Sequence, residues 1–116
     1  MDQLLFLAAA FAMTAVSTTR LVAQQPDGQA VYRQECKSCH GVTGVPPARA
    51  KEQYAKIKAL GDDGFVARLS ADSIVTILKK GISKDMKSFT GKLSEAEMAA
   101  VAVYIKELAE RRKARP

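Results

Sequence analysis

An all-α fold in one small domain, with three to five helices, is what the sequence predicts. Three observations carry that prediction. Apolar residues recur at three- and four-residue spacing in separate stretches of the chain. Helix-capping residues (Asp27, Ser70, Ser94) stand before three of those stretches, and glycines (Gly61, Gly81) close two of them. No stretch shows the alternation of a half-buried strand.

Taken in order, the chain opens with an apolar run from Leu4 to Val16, broken only by Thr14. A membrane span needs about 20 apolar residues, so this run has the length of a secretory signal core instead. Residues 1–23 therefore read as a signal peptide, with Ala23 or Ala15 and Ser17 at the cleavage point, or as a retained N-terminal anchor ending near Arg20. Residues 24–116 form the domain proper.

Gln24 to Asp27 is a polar linker containing Pro26, and Asp27 is placed to cap a helix from Gly28 to about Cys36. Gly28, Val31 and Tyr32 share one face of it. A glycine inside a helix costs about 1 kcal/mol against alanine, so Gly28 implies close approach by another element. Gly41 to Pro47 has no periodicity and reads as a loop. Residues 49–60 return to helical spacing, with Ala50, Tyr54 and Ile57 on one face and Glu52 paired to Lys56. Asp62 to Gly64 is a turn. Ser70 caps the next helix, whose inner face is Ile74, Ile77 and Leu78 and whose last turn carries Lys79 and Lys80 ahead of Gly81. Residues 82–93 form a loop holding Met86, Phe89 and Gly91. Ser94 with Glu97 makes a capping box for the last helix, with core stripe Met98, Val101, Tyr104, Ile105 and Leu108.

The chemistry of the chain is concentrated in Cys36-Lys37-Ser38-Cys39-His40, which holds its only two cysteines and its only histidine. Two thiols three positions apart with an imidazole next to the second is the spacing of covalent haem attachment. On a helical turn Cys36 and Cys39 project to one side and can each bond a vinyl group, while His40 reaches the iron. A thioredoxin-like dithiol calls for a strand–helix alternation that is absent here. A structural zinc site needs four ligands, and only three stand here. A disulfide across three residues would close too small a loop to stabilise much.

Iron that carries electrons needs a sixth ligand, and a thioether is the usual complement to an imidazole. Met86 and Met98 are the two methionines downstream of His40. Met98 lies on an apolar helix face, where methionine fills space. Met86 lies in an irregular loop free to approach the opposite face of a haem, and it is the expected ligand.

A chain of this size buries about 60–65% of its unfolded surface, which leaves a marginal core that a covalent apolar macrocycle would complete. Its 18 Lys and Arg against 12 Asp and Glu give a net charge of +6. Such a surface attracts acidic proteins or anionic lipid, and many of its lysines serve simply as a solvated face. Nucleic acid is not an expected partner, because the charges are scattered and no recognition motif accompanies them.

Together these residues resemble the class I c-type cytochromes. The resemblance rests on Gly28, Tyr32, Cys36, Cys39, His40 and Gly41, then on Gly81, Met86, Phe89, Leu93 and the helix with Ser94, Tyr104 and Ile105. It covers about residues 27–109. It implies a small cytochrome c-like fold around one covalent haem c, with its first and last helices crossing at Gly28 and with Tyr32 and Tyr104 packed around the crossing. It implies His40 and Met86 as axial ligands, and a proline carbonyl, Pro46 or Pro47, orienting the imidazole. Lys87 stands where the family usually has proline. The implied function is single-electron transfer between redox partners outside the cytoplasm, in the periplasm or its equivalent. Lys79, Lys80, Lys84 and Lys87 cluster in sequence around Met86, a basic collar that would orient an acidic partner. An uncleaved N-terminus would add membrane association. The alternatives are an open-site haem protein that binds gas or reacts with peroxide, and a haem subunit of a larger oxidoreductase.

Overall fold

A computed structural model describes residues 24–60 and 64–115, so the reading of residues 1–23, the closing glycine Gly61 and the turn residues Asp62 and Asp63 lie outside the described residues. The described residues form six helices: α1 (Gly28–Glu35), α2 (Lys37–His40), α3 (Ala48–Gln53), α4 (Phe65–Arg68), α5 (Ala71–Lys80) and α6 (Glu95–Lys113). Among the described residues the only ladder-like pairing is an isolated bridge between Thr90 and Leu93, so the all-α class stands. The number rises to six because α2 and α4 are four-residue turns, too short to leave a periodic pattern.

Each predicted N-terminal cap forms. Asp27 accepts from the Gln29 N–H at 3.0 Å. Ser70 Oγ accepts from the Ser73 N–H at 3.0 Å. Ser94 and Glu97 form the reciprocal capping box at 3.1 and 2.7 Å, opening α6, the longest element.

α6 is the spine against which α1, α4 and α5 pack. Its inner stripe of Met98, Val101, Ala102, Ile105, Leu108 and Ala109 joins Val31, Tyr32, Val66, Ile74 and Leu78 in one apolar cluster. Gly28 is the crossing point with α1. A Cβ there would lie 2.1 Å from the Ala100 carbonyl oxygen and 3.2 Å from Tyr104 Cβ, so only glycine permits this approach. Tyr32 and Tyr104 meet beside the crossing with ring centroids 5.3 Å apart.

One helix is shorter than its sequence predicts. The spacing over residues 49–60 suggests a single helix, yet α3 ends at Gln53, and Tyr54 leaves the helical basin at φ −124°, ψ 82°. The chain is then drawn back: Ile57 bonds to Tyr54, and the Leu60 N–H donates to the Gly44 carbonyl at 2.8 Å. Tertiary pairing with the 41–45 loop outweighs local propensity here. Because the helix stops first, Glu52 and Lys56 do not face each other across a turn.

Lys106 shows a use for charge that the sequence does not announce. Its ammonium donates to the carbonyls of Ala67 and Leu69, closing the C-terminal end of α4 from the side of α6.

Candidate functional site

The five-residue cluster folds as a continuation of α1 with a small kink at Cys36 (φ −118°, ψ −36°). The Cys36 carbonyl accepts from both the Cys39 N–H (3.3 Å) and the His40 N–H (2.9 Å), so the two thiols and the imidazole sit on one tight turn. Gly41, at φ 77°, ends that turn, and a Cβ there would sit 1.8 Å from the Val45 carbonyl oxygen. The chain thus doubles back immediately after the histidine. The buried Tyr32 hydroxyl donates to the Gly41 carbonyl at 2.7 Å, locking α1 to the exit of the motif. Burial pushes that phenol well above its ordinary pKa, so it stays a donor.

Burial also sets the chemistry of the cluster. The thiols are free. Cys36 is pushed up to about 11, first by burial and then by the neighbouring Glu35 carboxylate, partly offset by Lys92. A redox-active dithiol needs the opposite, a thiol whose pKa is lowered. His40 is held below the ordinary imidazole value by burial, so the ring is neutral and free to ligate near pH 7. Its Nδ1 is buried with no hydrogen-bond partner, an orphaned atom in a setting where such atoms are nearly always satisfied. Two free thiols and a neutral, under-satisfied imidazole on one turn suit a group that bonds covalently to sulfur and takes a nitrogen ligand.

The two prolines after the motif differ. Pro46 is buried and Pro47 exposed. The Pro47 carbonyl is already engaged by the Ala50 N–H (2.9 Å) and the Lys51 N–H (3.1 Å) at the start of α3.

The two methionines also separate. Met98 is 2% exposed inside the α6 stripe, as core filler. Met86 is half-buried and packs against the apolar cluster that contains Cys36. Its loop is a closed turn. The Met86 carbonyl accepts from the N–H groups of Ile82 (2.9 Å) and Ser83 (3.3 Å), and Ser83 Oγ accepts from the Asp85 (3.2 Å) and Met86 (3.3 Å) N–H groups. Gly81, at φ 72°, brings this turn against the end of α5, with a notional Cβ 2.6 Å from Ser88 N and 2.9 Å from the Met86 carbonyl oxygen. The contributions of Ser83, Ser88 and Thr90 go beyond the sequence reading; three hydroxyl residues clustered around one loop methionine were the signal available.

Of the four lysines expected to surround Met86, Lys79 is otherwise engaged, its ammonium 2.7 Å from Glu95. Lys80, Lys84 and Lys87 are exposed, and between them Ile82 is 70% exposed. A cleft of about 800 Å³ lies between the lead-in to α1 and the C-terminal half of α6; neither cysteine, nor His40, nor Met86 lines it.

Comparison with known proteins follows the same lines. The family model described as cytochrome c oxidase, cbb3-type, subunit III, matches residues 23–105. Cytochrome c6 of Synechocystis sp. is 28% identical over 110 residues, covering 93% of this chain and 82% of that protein. Among solved structures, the KustC0563 c-type cytochrome superposes with a TM-score of 0.63 at 28% identity, covering 72% of this chain and 98% of its own. A point mutant of that protein gives 0.61 at 26% identity, with 72% and 99% covered.

Proposed function

The chain belongs to the c-type cytochromes, in the family of cbb3-type cytochrome c oxidase subunit III, and on that premise we propose a one-electron carrier with His40 and Met86 as axial ligands. Family members bind haem c covalently, and its iron supplies the one-electron couple. In this chain Cys36 and Cys39 are the thiols that hold it. His40 is the proximal ligand, and its Nδ1, which has no partner in the structure, would take the Pro46 carbonyl as acceptor, since the Pro47 carbonyl is spent on α3. That bond would fix the tautomer and raise the basicity of the ligating nitrogen. Met86 supplies the thioether and raises the reduction potential. Lys80, Lys84 and Lys87 orient an acidic redox partner, with Ile82 as an apolar contact among them. The protein works outside the cytoplasm, with residues 1–23 as the export signal or anchor.

The observation that carries this reading is the placement of the chain's only thiols and only imidazole on one tight turn. Acid–acetone extraction of the denatured protein, followed by mass spectrometry, tests it. One haem should remain on the peptide containing Cys36 to His40. Release of the haem into the solvent would end the proposal. The family description favours a second arrangement, in which the same domain delivers electrons inside a larger oxidase assembly. A stable complex on size-exclusion chromatography from native membranes would select it.

A further inference from the structure

We infer that Ser88 and Thr90 are positioning residues for Met86: their hydroxyls clamp the methionine loop to the C-terminal end of α5 and so set how often the thioether leaves the iron. The inference rests on the reading of Met86 as a ligand. The last carbonyls of a helix lack intrahelical partners. Here the chain just past the methionine takes them up. The Ser88 and Thr90 hydroxyls both donate to the Lys79 carbonyl, the latter at 3.2 Å, and between them the Phe89 N–H donates to the Leu78 carbonyl at 2.8 Å. Ser88 Oγ also accepts from the Thr90 N–H at 3.1 Å, which closes the clamp on itself.

On the other side of Met86, residues 81–86 form the closed turn already described. Lys87 is the single residue between the two pinned segments, with an exposed side chain. Met86 therefore hangs from a turn that is rigid within itself and tied to α5 at two places, Gly81 and the 88–90 clamp. The Gly81 tie is steric and cannot be adjusted without a clash. The hydroxyl clamp is the adjustable one. A ligand held in place by its loop pays little ordering entropy on each return to the iron, whereas a ligand on a loosened loop pays it every time.

The same carbonyl connects the clamp to the rest of the molecule. Lys79 offers its backbone oxygen to Ser88 and Thr90 and its side chain to Glu95 at the start of α6. The methionine loop is thus referred to α5 and α6 together rather than floating on the surface.

The test uses the oxidised holoprotein and three readouts: the far-red band of thioether ligation, the reduction potential, and the rate of cyanide binding. The Ser88→Ala, Thr90→Val double variant removes both hydroxyl bonds to the Lys79 carbonyl and the Thr90 N–H bond to Ser88 Oγ. It should weaken the far-red band, lower the potential and speed cyanide entry by about tenfold. Ser88→Thr, which keeps the hydroxyl, should behave as wild type where the single Ser88→Ala variant does not. Ser70→Ala removes the distant cap of α5 and destabilises the fold without touching the loop; it should leave cyanide entry unchanged. Wild-type cyanide kinetics in the double variant, or an equal effect from Ser70→Ala, overturns the inference while Met86 ligation survives. Met86→Ala separates the two: if that variant keeps the far-red band, the ligand assignment itself fails and this inference falls with it.

Discussion

Cys36 and Cys39 differ in environment although three positions separate them. Cys36 is buried, beside the Glu35 carboxylate, and its thiol is pushed up to about 11; Cys39 is half-buried. Nucleophilic sulfur is thiolate, so a thiol with a raised pKa is a slow nucleophile at neutral pH and gains reactivity only as pH climbs toward that value. In the chain before haem attachment, iodoacetamide at about pH 8 should modify Cys39 ahead of Cys36, with the Cys36 rate still rising above pH 9. Peptide mass spectrometry of a time course reads both rates, and equal rates would show that the unloaded chain does not hold this turn. At this scale the sequence was highly legible, because rare residues in a fixed spacing need no tertiary information. It left undecided what depends on fold: which proline has a free carbonyl, and that Lys79 is drawn off to Glu95.

At the scale of elements, legibility followed capping chemistry. Asp27, Ser70 and the Ser94–Glu97 box announce α1, α5 and α6 because a cap satisfies local N–H groups whatever the rest of the chain does. Residues 49–60 misled because their spacing is helical while Leu60 is claimed by the Gly44 carbonyl, a partner sixteen positions away. α4 left no trace in the spacing, since one turn has no period. The crossing of α1 and α6 could be anticipated from Gly28, a residue that weakens its own helix and so had to be serving another. Replacing it tests the crossing. A Cβ would meet the Ala100 carbonyl, which belongs to the α6 backbone and cannot rotate away. Overpacking of this kind costs about 1–3 kcal/mol, with the backbone contact placing Gly28→Leu at the upper end. The melting temperature of the holoprotein should drop by about 10 °C or more. Gly28→Ala should already destabilise measurably, and an unchanged melting curve for both variants would mean the helices do not cross there.

The whole molecule carries a net charge of +6 before any cofactor is counted, and two haem propionates would leave it basic. That total raises encounter rates with any acidic protein but gives no orientation; orientation requires charge gathered at the place where the electron leaves. Lys80, Lys84 and Lys87 are gathered on the segment that carries Met86, around the exposed Ile82, with Asp85 as the one acid among them. Each is exposed, so its interactions are long-ranged in dilute buffer and fade when the screening length falls below the approach distance, about 10 Å at 0.1 M salt. The lysines should therefore govern association, and the clamped loop beneath them the ligand. Reversing Lys84 and Lys87 to glutamate should leave the haem spectrum and potential near wild type. It should slow the second-order transfer to an acidic redox partner by about tenfold at 0.01 M salt, with the two proteins converging near 1 M as screening shortens to about 3 Å. Stopped-flow rates across that salt series measure it. A rate loss that persists unchanged to high salt would assign these lysines to something other than electrostatic docking, and no loss at low salt would place the electron's exit elsewhere on the surface.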